Sequence, residues 1–494
     1  MLHKQEKGTT LGGDAVRLTF SKVVTLCITM ATTMLLSRFR TFQEYGTYSE
    51  LLLVINLVSS LLMLGLPNSI NYFLARADTQ KERQRFLSLY YFLSTVISVV
   101  IGIVLVLAIP LIELYFKNNT IRTFYYFLAL YPWSSIVSSS IENVLVVYKK
   151  TRGLILFRIS HSVAILACVL LVQWLGQGFS AYMISFVAVN SLFTLIVYYV
   201  AFKLGGGFNL SFDKKLVRAI FAFSIPMGLA SVVGTLNTEI DKLLIGYLMD
   251  TEQLAIYTNA AKELPLAIVA SSITAVLLPQ LTRMVKKNKA EEAIALWGYA
   301  TELALIVMAV IIFGVFTYAE EAMTILYSAK YLPGVSVFRV YTLTLLLRVT
   351  YFGIVLNAYG QSKKIFYCSV ISLVLNSILN PLFYWIFGMI GPAIATFIAI
   401  LTIQQLQLKM TAEVSNTAFS YVFPWKRAAL IIAINIVFSM VFFGLKRLVP
   451  LEQITNDVVE SLALGVVWCV LYLLIMKKRI ITVWHMLNKQ EEVQ

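Results

Sequence analysis

Ionisable side chains are scarce inside the apolar stretches of this chain, and the few found there are its first candidates for chemistry. The cations are Lys22, Lys242, Lys262, Arg339 and Arg348; the acids are Glu142, Glu239, Asp241, Glu263 and Glu302. A charge at the centre of a bilayer costs about 2.5 to 3.5 kcal/mol on insertion scales, so such a group faces protein or a water-filled cavity. None of these residues has metal-ligand spacing. The chain lacks a G-x-x-x-x-G-K-[ST] phosphate loop and a G-x-S-x-G turn, and no paired-acid motif sits in a loop. Binding and ion exchange are the chemistry left, so the chain is expected not to be an enzyme and to need no cofactor.

Position refines the list. Lys22 lies near one end of the first apolar stretch, where a snorkelling anchor and a cavity cation are equally good readings. Arg339 is near an end of its stretch and reads as an interfacial anchor. Arg348 is closer to the middle, cannot lose its proton and must find an acceptor or water. Lys22, Arg348 and Lys262 are the candidate cavity cations. Glu239, Asp241, Lys242, Lys262 and Glu263 lie within about 9 to 12 residues of the turn near Asp250, at similar depths by the helical rise. That depth allows interhelical pairs of Asp241 with Lys262 and of Lys242 with Glu263. The commoner reading is a static ion-paired hairpin; the other is a coupling site where a cation competes for Asp241 or Glu239.

The elements that must hold these groups are apolar stretches at 17–37, 49–74, 87–111, 123–147, 154–174, 180–202, 219–248, 254–281, 293–317, 335–359, 365–386, 390–408, 428–445 and 458–476. Each is long enough to cross a ~30 Å hydrocarbon core as a helix. With 59% hydrophobic and 13% charged residues and a mean hydropathy of +0.80, the chain lacks the polar cover of a soluble domain. If both termini are cytoplasmic, the loops on that side carry 28 Lys and Arg residues and the opposite loops carry 7, which is the positive-inside bias. The same loops account for the net charge of +15, so no nucleic-acid partner is implied. The first stretch is too long for a cleaved signal and reads as a retained span. Cys27, Cys168, Cys368 and Cys469 lie far apart inside spans and read as small apolar residues. His161 reads as a packed or interfacial histidine. Prolines 67, 226, 265 and 279 place breaks in the second, seventh and eighth spans.

The chain also carries an internal duplication at a spacing of about 210 residues. Tyr45-Gly46-Thr47-Tyr48 recurs as Leu254-Ala255-Ile256-Tyr257, Leu66-Pro67-Asn68 as Leu278-Pro279-Gln280, and Tyr148 with Arg152 as Tyr359 with Lys363. The expected fold is an all-α polytopic membrane protein of fourteen transmembrane helices. Residues 1–208 hold helices 1–6, 209–412 hold helices 7–12, and 413–494 hold helices 13–14 and a cytoplasmic tail. Six is even, so the two copies have the same orientation, the parallel-repeat plan of alternating-access transporters, with the transport path expected between the lobes.

The chain resembles the oligosaccharide-lipid flippases of the multidrug/oligosaccharidyl-lipid/polysaccharide exporter superfamily. The resemblance rests on the six, six and two layout and on Arg38-Phe39-Arg40-Thr41-Phe42-Gln43-Glu44-Tyr45-Gly46-Thr47-Tyr48. It rests further on Phe223-Ser224-Ile225-Pro226 with Asn237, on Ile240-Asp241-Lys242-Leu243-Leu244-Ile245-Gly246, and on Ile256-Tyr257. It implies export of undecaprenyl-diphosphate-linked oligosaccharide repeat units across the bacterial plasma membrane for surface polysaccharide, by a chain acting as a monomer. By the same resemblance, cavity cations would hold the diphosphate and the lipid tail would stay at the groove made by the last two spans. Transport would be driven by Na+, H+ or the cargo's own gradient. The alternatives are a lipid II flippase, whose characteristic first-span arginines are not evident here, and a multidrug or cation antiporter, which usually has twelve spans. A membrane polysaccharide polymerase or ligase would need a long external loop that this chain lacks.

Overall fold

A computed structural model describes residues 11–209, 213–262, 264–448 and 457–492. Among them the chain forms helices and turns and no strand, as expected where a backbone in lipid finds partners only within its own segment. In chain order the helices are α1 (Leu11–Phe39), α2 (Phe42–Met63), α3 (Gln80–Leu107), α4 (Ile109–Phe116), α5 (Tyr125–Ser139), α6 (Ile141–Val147), α7 (Thr151–Trp174), α8 (Phe179–Gly205), α9 (Lys214–Leu248) and α10 (Thr251–Ala260). They continue as α11 (Ala267–Lys286), α12 (Ala290–Thr317), α13 (Ala319–Tyr327), α14 (Val335–Thr344), α15 (Ile354–Ala358), α16 (Ser362–Phe387), α17 (Gly391–Ser415), α18 (Phe419–Val422), α19 (Trp425–Leu448) and α20 (Asp457–Glu492).

Ten stretches of the described residues are long and apolar enough to cross a membrane, so the chain is a multi-pass membrane protein. One of them, Ser362–Ser415, contains both α16 and α17. The spans expected at 123–147, 254–281 and 335–359 are each divided into shorter helices, so length alone does not find them. Large apolar side chains point outward, Trp385 being 84% exposed, while Glu50, Thr301 and Asn435 are sealed inside. That inversion is what a lipid solvent demands.

Local sequence sets the element ends. Thr41 and Glu44 form a capping box at the start of α2, as do Thr79 and Glu82 at the start of α3, so that two orphan amides are satisfied at each start. α2 stops where Leu64 and Gly65 turn left-handed, at φ 47° and 71°, just ahead of Pro67, and a π-helical turn over Ile70–Leu74 follows. α10 and α11 are separated at 261–266, around Pro265. Pro226 and Pro279, expected to break their spans, instead lie inside α9 and α11. One lost amide bond bends a helix that its neighbours hold. Two further breaks carry no proline: α5 gives way to α6 at Ser140, and α14 passes through a 3-10 turn over Leu345–Arg348 before α15 starts at Ile354.

The duplication recurs in the element order. α3 and α12, α4 and α13, α5 and α14, α7 and α16, and α8 and α17 start 210 to 212 residues apart. The proline-free breaks fall at the matching place in each copy.

The chain divides into two compact units, Met1–Ala255 and Ile256–Gln494. Leu66, Ile70, Tyr90, Val137, Val197 and Ile220 belong to the core of the first. Leu281, Trp297, Met308, Val349, Leu408 and Trp468 belong to that of the second. α9 opens the second sequence copy yet packs along α2 in the first unit. Gly65 and Gly228 let the two backbones meet: a Cβ at Gly65 would lie 2.6 Å from Ser224 O and 2.7 Å from Gly228 Cα.

Candidate functional site

In the first unit, one carboxylate joins two cations carried on long apolar helices. Glu142 stands two residues after Ser140, where α6 meets α1 and α7. Its Oε1 lies 3.6 Å from Lys22 Nζ and its Oε2 pairs with Arg158 Nη2. Lys22 and Glu142 are about half exposed, whereas Arg158 is 14% exposed and its Nη1 is buried without a hydrogen-bond partner. Two cations against one acid leave a net positive charge with spare N–H donors, the combination that receives an anion. Neighbouring amides hold the site. Asn143 Nδ2 donates to the Pro67 carbonyl at 3.2 Å, and Asn71 Nδ2 donates to Asn143 Oδ1 at 3.2 Å. The break in α2 and the break before α6 therefore support one another.

Elsewhere in this unit, Asp241 is buried in α9 and accepts from the Lys242 amide at 2.8 Å. Lys242 Nζ pairs with Glu239 at 2.7 Å, one turn back on the same helix. Glu263, the expected partner of Lys242, lies outside the described residues. Glu50 is fully buried in α2, where its Oε2 accepts from Asn118 Nδ2 at 2.6 Å beside Thr251. His161 Nε2 meets Asn190 Oδ1 at 3.1 Å, with Phe157 stacked on the ring and Phe193 edge-on at 4.8 Å. That is a packed histidine.

In the second unit Arg348 ends the 3-10 turn that interrupts its span. Two side chains from other helices hold the interruption open. Gln404 of α17 donates to the freed carbonyl of Leu347, and Trp297 Nε1 of α12 donates to Thr350 Oγ1 at 2.9 Å. Irregular backbone at membrane depth survives only when protein or water satisfies it, and here buried protein groups do. Lys262 lies exposed in the break between α10 and α11. α16 and α17 pack on one another; Asn380 and Thr396, on facing helices, are buried with their side-chain oxygens unpartnered.

Glu302 is a structural acid. Buried in α12, it accepts from Arg479 Nε at 2.5 Å and Nη2 at 2.8 Å, and from Arg427 Nη1 at 2.8 Å. This clamp ties α19 and α20 to α12. Arg339, expected to be an interfacial anchor, pairs with Glu320 at 3.2 Å and both are partly exposed. The cysteines are all free, and no acid, histidine and cysteine cluster fit for a metal occurs among the described residues.

Sequence reasoning missed Arg158, Arg427 and Arg479, which it counted with the loop cations. A long side chain near a helix end can reach back to a buried acid, and the lone acids Glu142 and Glu302 were the available signal. It also missed Glu50, the second residue of an expected span.

Three known proteins frame these observations. Agl15 of Haloferax volcanii, a probable low-salt glycan biosynthesis flippase, is 21% identical over 291 residues, which make up 57% of this chain and 61% of that protein. The match therefore spans about three fifths of that relative's length. The fold is similar to that of the lipid II flippase MurJ in an inward closed conformation, with a TM-score of 0.70 and 15% identity over 94% of this chain and 100% of that one. It is also similar to an inward-facing multidrug resistance MATE family transporter of the MOP superfamily, with a TM-score of 0.63 and 14% identity over 82% of this chain and 99% of that one. With a family match over residues 35–336, more than half its length, the chain belongs to the polysaccharide biosynthesis proteins.

Proposed function

We propose that the protein flips undecaprenyl-diphosphate-linked oligosaccharide repeat units across the plasma membrane by alternating access, with both termini cytoplasmic. The observation that carries this reading is the Lys22–Glu142–Arg158 cluster, in which two cations share one acid on helices that are otherwise mostly apolar. A diphosphate leaving water needs fixed charge, and charged hydrogen bonds contribute about 1.5 to 3 kcal/mol each. Arg348 and Lys262, both at helix breaks, supply the cations of the second unit. Buried Asp241 is the coupling acid of this reading, with Glu239 occupied in holding Lys242. The neutral buried oxygens of Asn380 and Thr396 are of the type Na+ accepts.

The test is flipping of a fluorescent lipid-linked oligosaccharide in vesicles, beside lipid II as a competing cargo. Lys22→Gln with Arg158→Gln should cut the flipping rate at least about tenfold, one charged bond's worth, while the protein stays in the membrane. Arg348→Lys should retain part of the rate and Arg348→Ala almost none. Parental rates in the Lys22→Gln/Arg158→Gln protein would remove the cluster from the cargo path. Flipping of lipid II alone would overturn the cargo assignment.

A further inference from the structure

Beyond the Lys22–Glu142–Arg158 cluster, the first unit holds two arginines laid on tyrosine rings. Tyr72, in the π-helical turn after α2, stacks on Phe223 of α9 with ring centroids 4.4 Å apart, and the Arg76 guanidinium lies 3.9 Å over the Tyr72 ring. Arg83 of α3 lies 5.8 Å over the ring of Tyr148, the residue that caps α6. Its Nε donates to the Ala77 carbonyl at 3.1 Å, on the residue next to Arg76. The two platforms stand on packed elements, since α6 packs on the π-helical turn and Asn71 bonds Asn143 across them. Rings at this range hold a guanidinium by cation–π attraction.

Neither arginine pairs with a carboxylate among the described residues, and apart from the Ala77 bond their side-chain donors meet no protein acceptor there. Arg85, two residues on, differs in pairing with Asp213 at 2.7 Å. Of the acids in the same turn, Glu82 already accepts from the Asp78 and Thr79 amides, and Asp78 is exposed. A guanidinium held flat on a ring keeps its N–H donors at the edge, the geometry that takes phosphoryl oxygens two at a time. We propose that Arg76 and Arg83 form a phosphoryl-binding station that takes the diphosphate of the lipid-linked cargo before it reaches the Lys22–Glu142–Arg158 cluster. This rests on the flippase reading above, whose orientation puts both arginines at the cytoplasmic end of the unit. Tyr148 follows Glu142 by six residues, about 9 Å at the helical rise. A stop at that distance keeps the diphosphate against fixed charge as it leaves water.

The experiment is titration calorimetry of the full chain in micelles with farnesyl diphosphate, a short polyprenyl diphosphate. The chain carries Lys22→Gln, Glu142→Gln and Arg158→Gln, which silence the cluster without leaving an orphan charge. Adding Arg76→Gln with Arg83→Gln should weaken binding at least about tenfold, one charged hydrogen bond's worth. Tyr72→Leu removes a platform and keeps the charge, so it should weaken binding about two- to fivefold. Lys214→Gln with Lys215→Gln makes the same charge change at exposed positions on α9 and should leave binding within about twofold, since distant exposed charges are screened. Unchanged binding in the arginine pair overturns the proposal, as does an equal loss in the lysine pair. Displacement of farnesyl diphosphate by equimolar phosphatidylglycerol also overturns it, by making the station a bilayer-lipid site. Should the cluster-free chain not fold, the arginine pair in the parental background should raise the half-saturating cargo concentration for flipping in vesicles at least about tenfold, and an unchanged value overturns the proposal. Calorimetry reads binding without flipping, so failure of the station and failure of the flippase reading are seen separately.

Discussion

Two glycines six residues apart on α9 should respond to alanine with opposite signs. Gly234 faces open space, with nothing within 4 Å of an added Cβ. Alanine there gains helix propensity of up to about 1 kcal/mol. At Gly228 an added Cβ would lie 2.6 Å from both Gly65 N and Leu64 O, well inside ordinary contact. Those atoms are backbone of the α2 terminus, already fixed in left-handed conformations, and cannot rotate away. Overpacking of this kind costs about 1 to 3 kcal/mol, and rigid neighbours place it at the upper end. After the propensity gain, Gly228→Ala should lose about 2 kcal/mol, so the two variants should differ by about 3 kcal/mol. The assay is reversible unfolding in mixed micelles followed by tryptophan fluorescence, with parent and variants at one protein-to-detergent ratio. A Gly228→Ala stability equal to or above that of Gly234→Ala would show that α2 and α9 do not meet at this point.

Glu302→Gln should destabilise by about 2 to 3 kcal/mol, since it weakens three charged hydrogen bonds to partly exposed arginines that water can repay in part. Arg427→Gln should lose about 1 kcal/mol, because the two bonds from Arg479 remain; the same unfolding assay ranks them, and a reversed order would refute the clamp. Gln404→Leu leaves the Leu347 carbonyl without its buried donor and should impair flipping more than Gln404→Glu impairs insertion; unchanged flipping in vesicles would mean that the break at Arg348 is held by other groups. Single cysteines at Lys81 and Lys287, on a cysteine-free background, should resist an impermeant thiol reagent in intact cells; strong labelling would reverse the proposed orientation.

Hydropathy located most of the helices because lipid-facing surface leaves a continuous apolar record, and the 210-residue repeat was already visible in three short matches. The breaks were half legible. Proline marked those near Pro67 and Pro265, but the interruptions at Ser140 and at Leu345–Arg348 are held by side chains distant in sequence, as with Gln404 and Trp297. Nothing local announces them. Lys22 and Glu142 could be named as embedded charges, whereas their meeting with Arg158 depends on how α1, α6 and α7 pack. Arg427 and Arg479 show the same limit from the other side. Charge counting places them in loops, and only packing reveals that both reach Glu302.

The attachment of the last two helices has a practical consequence. Besides the clamp at Glu302, α19 is tied to the far end of α12 and to α13 through Thr317 with Ser439, Tyr318 with the Phe442 carbonyl, and Lys446 with Glu321. Fixed near both ends, α12, α19 and α20 form one stiff body instead of a pair of loosely tethered helices. A fluorophore or spin label placed on α20 should therefore follow the second unit faithfully, with little motion of its own. Distances measured from it to a label in the first unit would test the proposed alternating-access cycle directly, without intruding on any residue of the cation cluster.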